Sequence, residues 1–200
     1  MACSICQLNH NCVCQQVPDL SHIPLQLALL LHEKEWQRET NTGRWLAQSL
    51  AHCSQHTWQR LEVDASLAEK MRHPDLKPFV LFPSEQSISV QQAQQSAERD
   101  KKTPLYIVLD GTWQEAQKMQ RKSTWLNTLP QVHLNVTQES DYTLRRNQQL
   151  GHLCTLEVGA GLVEELGYAE SGTQLRAFLR HYLAVFQADK SGHPLSQASL

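Results

Sequence analysis

From Leu25 to about residue 187 the chain alternates short apolar runs with longer amphipathic stretches, and few architectures accept that alternation. Leu27–Leu31 reads as a buried strand and Gly43–Cys53 as a helix. Leu61–Val63 reads as a short strand, followed by a helix over Ala65–Arg72. Phe79–Phe82 is a strand stopped by Pro83, and Ser89–Arg99 is a Gln-rich helix. Leu105–Leu109 is the cleanest strand; it leads into a helix from Trp113 to Lys122. A strand at Val132–Val136 and helices near Leu156–Leu166 and Thr173–Gln187 complete the series. Strand-then-helix repetition lets helices cover both faces of one sheet, so the expected fold class is α/β with a mainly parallel, doubly covered sheet. Residues 188–200 read as a frayed, flexible tail.

Size and charge narrow the function. Two hundred residues, 40% of them hydrophobic, suffice for one domain with a small appendage. A net charge of -2 means that the protein as a whole does not attract nucleic acid, so any such binding has to come from a local patch. Leu27–Leu31, a five-residue run that no apolar stretch of the chain exceeds, is far too short to cross a membrane, and mean hydropathy is -0.46. The start, Met1-Ala2-Cys3, lacks the charged-then-apolar layout of a signal peptide, so the expected location is the cytoplasm.

Four of the six cysteines, Cys3, Cys6, Cys12 and Cys14, fall within the first fourteen residues as C-x2-C-x5-C-x-C. In a reducing compartment such spacing suits a metal better than disulfides. Two thiolate pairs joined by a short loop fit a tetrahedral structural zinc, whose binding energy would order a segment too poor in apolar residues to fold alone. An iron–sulfur cluster uses the same four thiolates and stands as the rival. His10 lies between the pairs as a loop residue or a substitute ligand; Cys53 and Cys154 read as small buried hydrophobes.

In open α/β sheets ligands bind beyond the carboxyl ends of the strands, and several strand ends here carry polar clusters. Leu27–Leu31 runs into His32-Glu33 and then Asn41-Thr42-Gly43-Arg44 at a helix start; Phe79–Phe82 runs into Pro83-Ser84-Glu85. Leu105–Leu109 runs into Asp110-Gly111-Thr112-Trp113. Thr112 with Glu115 three residues later is a capping box, which starts the helix at about Trp113 and leaves Asp110 on a tight turn. There the carboxylate feels two opposed effects, desolvation raising its pKa and the helix terminus lowering it. Asp110 is either an acceptor for backbone N–H groups in the turn or a catalytic carboxylate. Trp113 is either packing or a platform for a flat ligand.

No dinucleotide, Walker, serine-elbow or H-E-x-x-H motif occurs, which disfavours dehydrogenase, P-loop and serine-hydrolase chemistry. Basic residues gather at Arg99, Lys101 and Lys102, at Lys118, Arg121 and Lys122, and at Arg145 and Arg146. With Trp113 and Trp125 near them they read as solvated helix faces or as a track for a phosphate backbone.

Together these blocks resemble the DTW-domain family, the tRNA-uridine aminocarboxypropyltransferases. In order they are the cysteine knuckle, His32-Glu33, Asn41-Thr42-Gly43-Arg44, Phe82-Pro83-Ser84-Glu85, Asp110-Gly111-Thr112-Trp113, Tyr142-Thr143-Leu144-Arg145-Arg146 and Cys154-Thr155-Leu156-Glu157. The resemblance spans Cys3 to about residue 185. It departs from the family pattern at Asn147, Cys154 and Val158, and in a knuckle without the usual Arg and Pro residues.

The resemblance implies a SPOUT-like, knotted α/β fold divided into a four-cysteine zinc knuckle over residues 1–20 and a catalytic domain over 21–187. The implied reaction transfers the 3-amino-3-carboxypropyl (acp) group of S-adenosylmethionine to N3 of a tRNA uridine, at position 47 by the look of a single-domain chain. Asp110 is the implied base. The cofactor would be held by Phe82, Pro83, Ser84 and Glu85, by Leu109, Thr112 and Trp113, and by Leu144, Arg145, Thr155, Leu156 and Glu157. The tRNA would be met by His32, Asn41, Thr42, Gly43 and Arg44, with Lys118, Arg121 and Arg146 on its phosphates. Two rivals remain: a SPOUT-type methyltransferase using the same cofactor, and a non-catalytic zinc protein that binds RNA.

Overall fold

A computed structural model describes residues 2–135, 140, 142 and 153–195. Six strands make one sheet: β1 (Gln26–Leu31), β2 (Cys53–Thr57), β3 (Leu76–Leu81), β4 (Ile88–Ser89), β5 (Thr103–Asp110) and β6 (Gln131–His133). Their order is β2-β1-β5-β3-β6-β4, and every described pairing is parallel. The helices among the described residues are α1 (Gly43–Ser49), α2 (Ala65–Arg72), α3 (Val90–Arg99), α4 (Trp113–Lys122), α5 (Thr155–Glu165) and α6 (Ala169–Lys190).

Alternation along the strands explains the layers. Leu27, Leu29, Leu31, Tyr106 and Val108 pack on one face with α1, α3, α5 and α6 through Trp45, Val90, Leu162 and Phe178. Ala28, Leu30, Ile107 and Leu109 turn the other way and meet Leu67 of α2 and Ala116 and Met119 of α4. The fold is therefore mixed α/β with a parallel sheet covered on both faces.

Local chemistry sets the boundaries. Ser89 and Thr112 each form a capping box, with Gln92 and Glu115, and Asp64 caps α2 by accepting from the N–H groups of Ser66 and Leu67. Gly167 ends α5 at φ +95°, its N–H donating to the Glu164 carbonyl at 3.0 Å while the N–H of Tyr168 donates to that of Val163 at 3.1 Å. That left-handed turn lets α6 begin at once and pack back against α5.

Several expectations shift. The helix expected over Gly43–Cys53 stops at Ser49, and Cys53 opens β2. This edge strand buries only His56 deeply, so it lacks the apolar run that marks its neighbours. Leu61–Val63 is not a strand; Leu61 is 82% exposed in the loop that leads to the Asp64 cap. The two-residue strand β4 has too little sequence to be seen. β3 begins at Leu76 and ends at Leu81, one residue before Phe82. β6 ends at His133, and Val136 lies outside the described residues. Residues 188–190 complete α6 rather than opening a flexible tail: Ala188 is buried, and Asp189 accepts from the backbone N–H of Asn9 in the N-terminal segment. Residues 196–200 lie outside the described part.

Candidate active site at the carboxyl edge of the sheet

Parallel register brings three strand ends level: Leu31 pairs with Thr57 on one side and Asp110 on the other. His32, Trp58 and Gly111 therefore leave the sheet side by side, and His32 N–H donates to the Asp110 carbonyl at 2.9 Å.

Asp110 is 1% exposed, and both of its carboxylate oxygens are engaged. The Asn41 amide donates to Oδ2 at 2.8 Å and the Thr155 hydroxyl to Oδ1 at 2.6 Å. The acceptor thus gathers side chains from the loop before α1 and the first turn of α5. A Cβ on Gly43 would stand 2.4 Å from Asp110 Oδ2, so the loop approaches this closely only because residue 43 has no side chain. Thr42 ties the same segments together by accepting from the N–H of Leu156 at 3.3 Å.

A second layer braces the first. The Asn41 amide also donates to Glu35 Oε2 at 2.9 Å, and the Arg38 guanidinium donates to Glu35 Oε1. Arg38 forks onto Glu115 as well, donating at 2.7 and 2.8 Å to its two oxygens. Glu115 accepts from the backbone N–H and the hydroxyl of Thr112 at 2.8 and 2.9 Å, the return half of the capping box. Burial pushes Glu115 up, but the Arg38 guanidinium and the Thr112 donors outweigh it and hold the carboxyl at about 2. Arg38 is held charged by the same pair. The loop between them is pinned by Tyr142 and Tyr182, whose hydroxyls donate to the carbonyls of Thr40 and Glu39 at 2.9 and 3.0 Å.

Of the residues singled out in the sequence, His32, Asn41, Thr42, Gly43, Leu109, Asp110, Thr112, Thr155 and Leu156 converge here. Arg44 lies on the rim, its side chain donating to the carbonyls of Asn41 and Arg38 at 3.1 and 2.5 Å. Phe82 and Trp113 stack 5.6 Å apart and 4° from parallel, both half-buried. Pro83, Ser84 and Glu85 form an exposed turn beside them, tied to β6 through Ser87 and His133. Glu157 is buried and accepts from the Cys154 N–H and the Ser140 hydroxyl, each at 2.7 Å. Lys118 and Arg121 are exposed on α4. Leu144, Arg145 and Arg146 lie outside the described residues.

Sequence reasoning missed Glu35 and Arg38, which lie in and just after a 3-10 turn over Glu33–Gln37. An acid and a base three residues apart were the available signal, but such pairs are common on solvated turns. Only the tertiary partner Glu115, seventy-seven residues on, sets this one apart.

The knuckle is a separate polar centre. The Sγ atoms of Cys3, Cys6, Cys12 and Cys14 all lie within 4.8 Å of one another, and none is in a disulfide. Three of the separations are 3.8, 3.8 and 3.6 Å. A tetrahedral zinc with bonds of about 2.3 Å to sulfur has sulfur–sulfur edges of about 3.8 Å, so the donor set fits that ion in kind and size. Backbone N–H groups of Cys6 and Ile5 hold the Cys3 thiol down at about 6, whereas burial pushes Cys6 and Cys14 up. Asp189 of α6 clamps the knuckle from behind, accepting from the backbone N–H groups of Asn9 and His10 at 2.8 and 2.9 Å and lying 2.9 Å from His10 Nδ1.

Residues 1–187 match the DTW domain family. Among curated proteins, the tRNA-uridine aminocarboxypropyltransferase 2 of Drosophila melanogaster is 31% identical over 183 residues, which cover 86% of this chain and 70% of that protein. No solved structure matches. No helix among the described residues is long and apolar enough to cross a membrane.

Proposed function

The chain belongs to the DTW-domain family, and from that membership we propose that it is a transferase that modifies tRNA by placing an aminocarboxypropyl group on N3 of a uridine. The observation that carries the reading is the meeting of two distant segments on the D-x-T-W carboxylate, the 41–43 loop with Asn41 and Gly43 on Oδ2 and the start of α5 with Thr155 on Oδ1, at the edge where parallel sheets bind ligands.

S-adenosylmethionine, when bound, supplies the acp group on a sulfonium whose departure as 5′-methylthioadenosine needs no acid. The parallel Phe82–Trp113 pair offers a flat apolar surface for its adenine, and the N–H groups at the starts of α4 and α5 offer donors. The rest of the proposed cofactor contacts belong to the Phe82–Glu85 turn and to Leu144, Arg145, Thr155, Leu156 and Glu157, and the SPOUT-like class of the fold is part of the same proposal.

Uracil N3 carries a proton at neutral pH, so a positioned acceptor accelerates the transfer. Thr155 and Asp110 are both buried, and the Thr155 hydroxyl donates to Oδ1 at 2.6 Å, so a proton can pass between them out of water. In the proposed route Thr155 Oγ1 takes the N3 proton as its own passes to Asp110 Oδ1, and Asn41 holds Oδ2 in place. The Arg38–Glu115 fork keeps the turn rigid, which serves the alignment of the γ-carbon rather than the methyl group with N3. His32, buried beside Trp58, and Arg44 on the rim, with Lys118, Arg121 and Arg146, are proposed to meet the tRNA. The four thiolates are proposed to hold a structural zinc, and the expected place of action is the cytoplasm, with position 47 as the target.

Isotope placement tests the reaction. With unmodified tRNA, S-adenosylmethionine labelled in the carboxyl carbon is expected to transfer its label and the methyl-labelled form to transfer none. Label from the methyl alone makes the protein a methyltransferase; binding of RNA with neither label transferred makes it an adaptor.

A further inference from the structure

The same register that aligns His32 with Asp110 sends the segment after β2 past the candidate site, and that segment anchors a row of three tryptophans. Trp36 donates its indole N–H to the Thr57 hydroxyl at 3.1 Å, and Trp125 donates its own to the Gln59 carbonyl at 3.3 Å. Between them Trp58 donates to the Ser123 hydroxyl at 2.8 Å and stacks on His32, ring centroids 5.6 Å apart and 20° from parallel. The Lys118 ammonium stands 6.0 Å from the Trp58 ring centre. Each indole edge is fixed by a hydrogen bond, yet Trp36 remains 48% exposed and Trp58 and Trp125 half-buried. Trp58 and Trp125 rest partly on the core of the α2–α4 face, and each of the three rings keeps part of its surface open to solvent.

Charge chooses the occupant. Lys118, Arg121 and Lys122 occupy the last turns of α4 at a spacing that keeps them neighbours, and Arg60 extends the tryptophan-bearing segment; all four are exposed. The exposed acids nearest in sequence are Glu33, Glu39 and Glu62; Glu39 is paired with Lys190, and Glu115 is engaged by Arg38. Fixed, partly exposed indoles bordered by cations are what unpaired nucleobases on a phosphate backbone require, since every base has a face to stack and every link a charge to meet. A duplex hides its base faces and cannot use such a row.

We propose that Trp36, Trp58 and Trp125, with Lys118 and Arg121, form a stacking platform for the unpaired nucleotides flanking the target uridine. The platform deepens the tRNA reading of the same edge and rests on it for the choice of tRNA. A uridine drawn out of its stack toward Asp110 leaves neighbours without partners, and Trp58, after β2 with β1 between it and β5, stands ready to receive them.

The test is binding of an unmodified tRNA transcript, followed by fluorescence anisotropy across a range of salt, with transfer assayed in parallel. Trp36→Ala is expected to weaken binding by roughly tenfold, Trp36→Phe to restore most of it, and thermal melting to stay unchanged because the ring is half in solvent. Trp58→Phe guards against a folding defect at the more buried position and is expected to bind nearly as well as the parent. Lys118→Ala with Arg121→Ala is expected to reduce the slope of log affinity against log salt by about 1 to 2. Parent-like affinity in Trp36→Ala overturns the platform even when the parent transfers acp normally. Binding that depends on Trp36 in a parent that transfers nothing upholds the platform and removes the reaction instead. Loss of affinity in Trp36→Ala that Trp36→Phe does not recover also overturns it, because stacking needs only an aromatic face.

Discussion

The carboxyl edge of the sheet and the N-terminal knuckle both gather polar groups out of water, and they satisfy them by opposite means. At the edge every charge has a partner from the chain itself: Arg38 bridges two acids, and Asp110 receives Asn41 and Thr155. The knuckle brings four thiols within 4.8 Å and offers them mainly one another, and its one carboxylate, Asp189, is spent on clamping backbone N–H groups. A self-satisfied network is preorganised without a ligand. A thiol cluster is ordered when a metal supplies the missing charge. The difference separates a part that can align reactants from a part that braces the fold, where Cys6, Leu8 and Val13 join the core of the α6 face.

The largest effect that can break this division is on the reaction. Asp110→Ala is expected to lower acp transfer by roughly 10²- to 10⁴-fold while zinc content is unchanged, as measured by turnover and elemental analysis of one preparation. A parent-like rate would take chemistry away from the edge. Next comes the metal: the purified chain is expected to carry one zinc, and chelation or Cys12→Ser is expected to lower Tm by roughly 10 °C in calorimetry. An unchanged Tm would leave the knuckle without its bracing role.

Gly43→Ala sharpens the contrast from the other side. The added Cβ meets Asp110 Oδ2 at 2.4 Å, among groups that cannot yield without breaking their bonds, and the expected cost is about 1–3 kcal/mol in denaturant unfolding. Smallest is an acid effect. Glu115 lies at about 2 in the fold against an ordinary 4.5, so its stabilising contribution is complete above pH 4.5 and is lost as pH falls toward 2. Glu115→Gln is expected to remove that part of the pH dependence, read as unfolding midpoints converging with the parent at the acid end. Parallel curves for the two proteins would show that the Arg38–Glu115 fork stabilises nothing.

Sequence patterns reach some elements and miss others for physical reasons. α4 runs from Trp113 to Lys122 as read, because the Thr112–Glu115 capping box states its own start. β1 and β5 are legible because central strands are apolar on both faces. β2 is an edge strand of Cys, Ser, Gln, His and Thr, so nothing in its hydropathy marks it, and Leu61, apolar but 82% exposed, misleads in the opposite direction. The D-x-T-W turn could be placed at a strand end from spacing alone. That Asn41 and Thr155 converge on its carboxylate from sixty-nine and forty-five residues away depends on strand order, which local pattern does not encode. The tryptophan row is hidden in the same way, since only tertiary hydrogen bonds bring Trp36 and Trp125 to the 57–59 segment that carries Trp58.

What leaves the cofactor separates acp transfer from methyl transfer, and mass spectrometry of a reaction of the purified protein with S-adenosylmethionine and unmodified tRNA reads it directly. The predicted result is 5′-methylthioadenosine in step with an aminocarboxypropyl mass gain on a single uridine located by fragment mapping. S-adenosylhomocysteine with a methyl gain, or no product with several tRNAs from a metal-replete preparation, would contradict it.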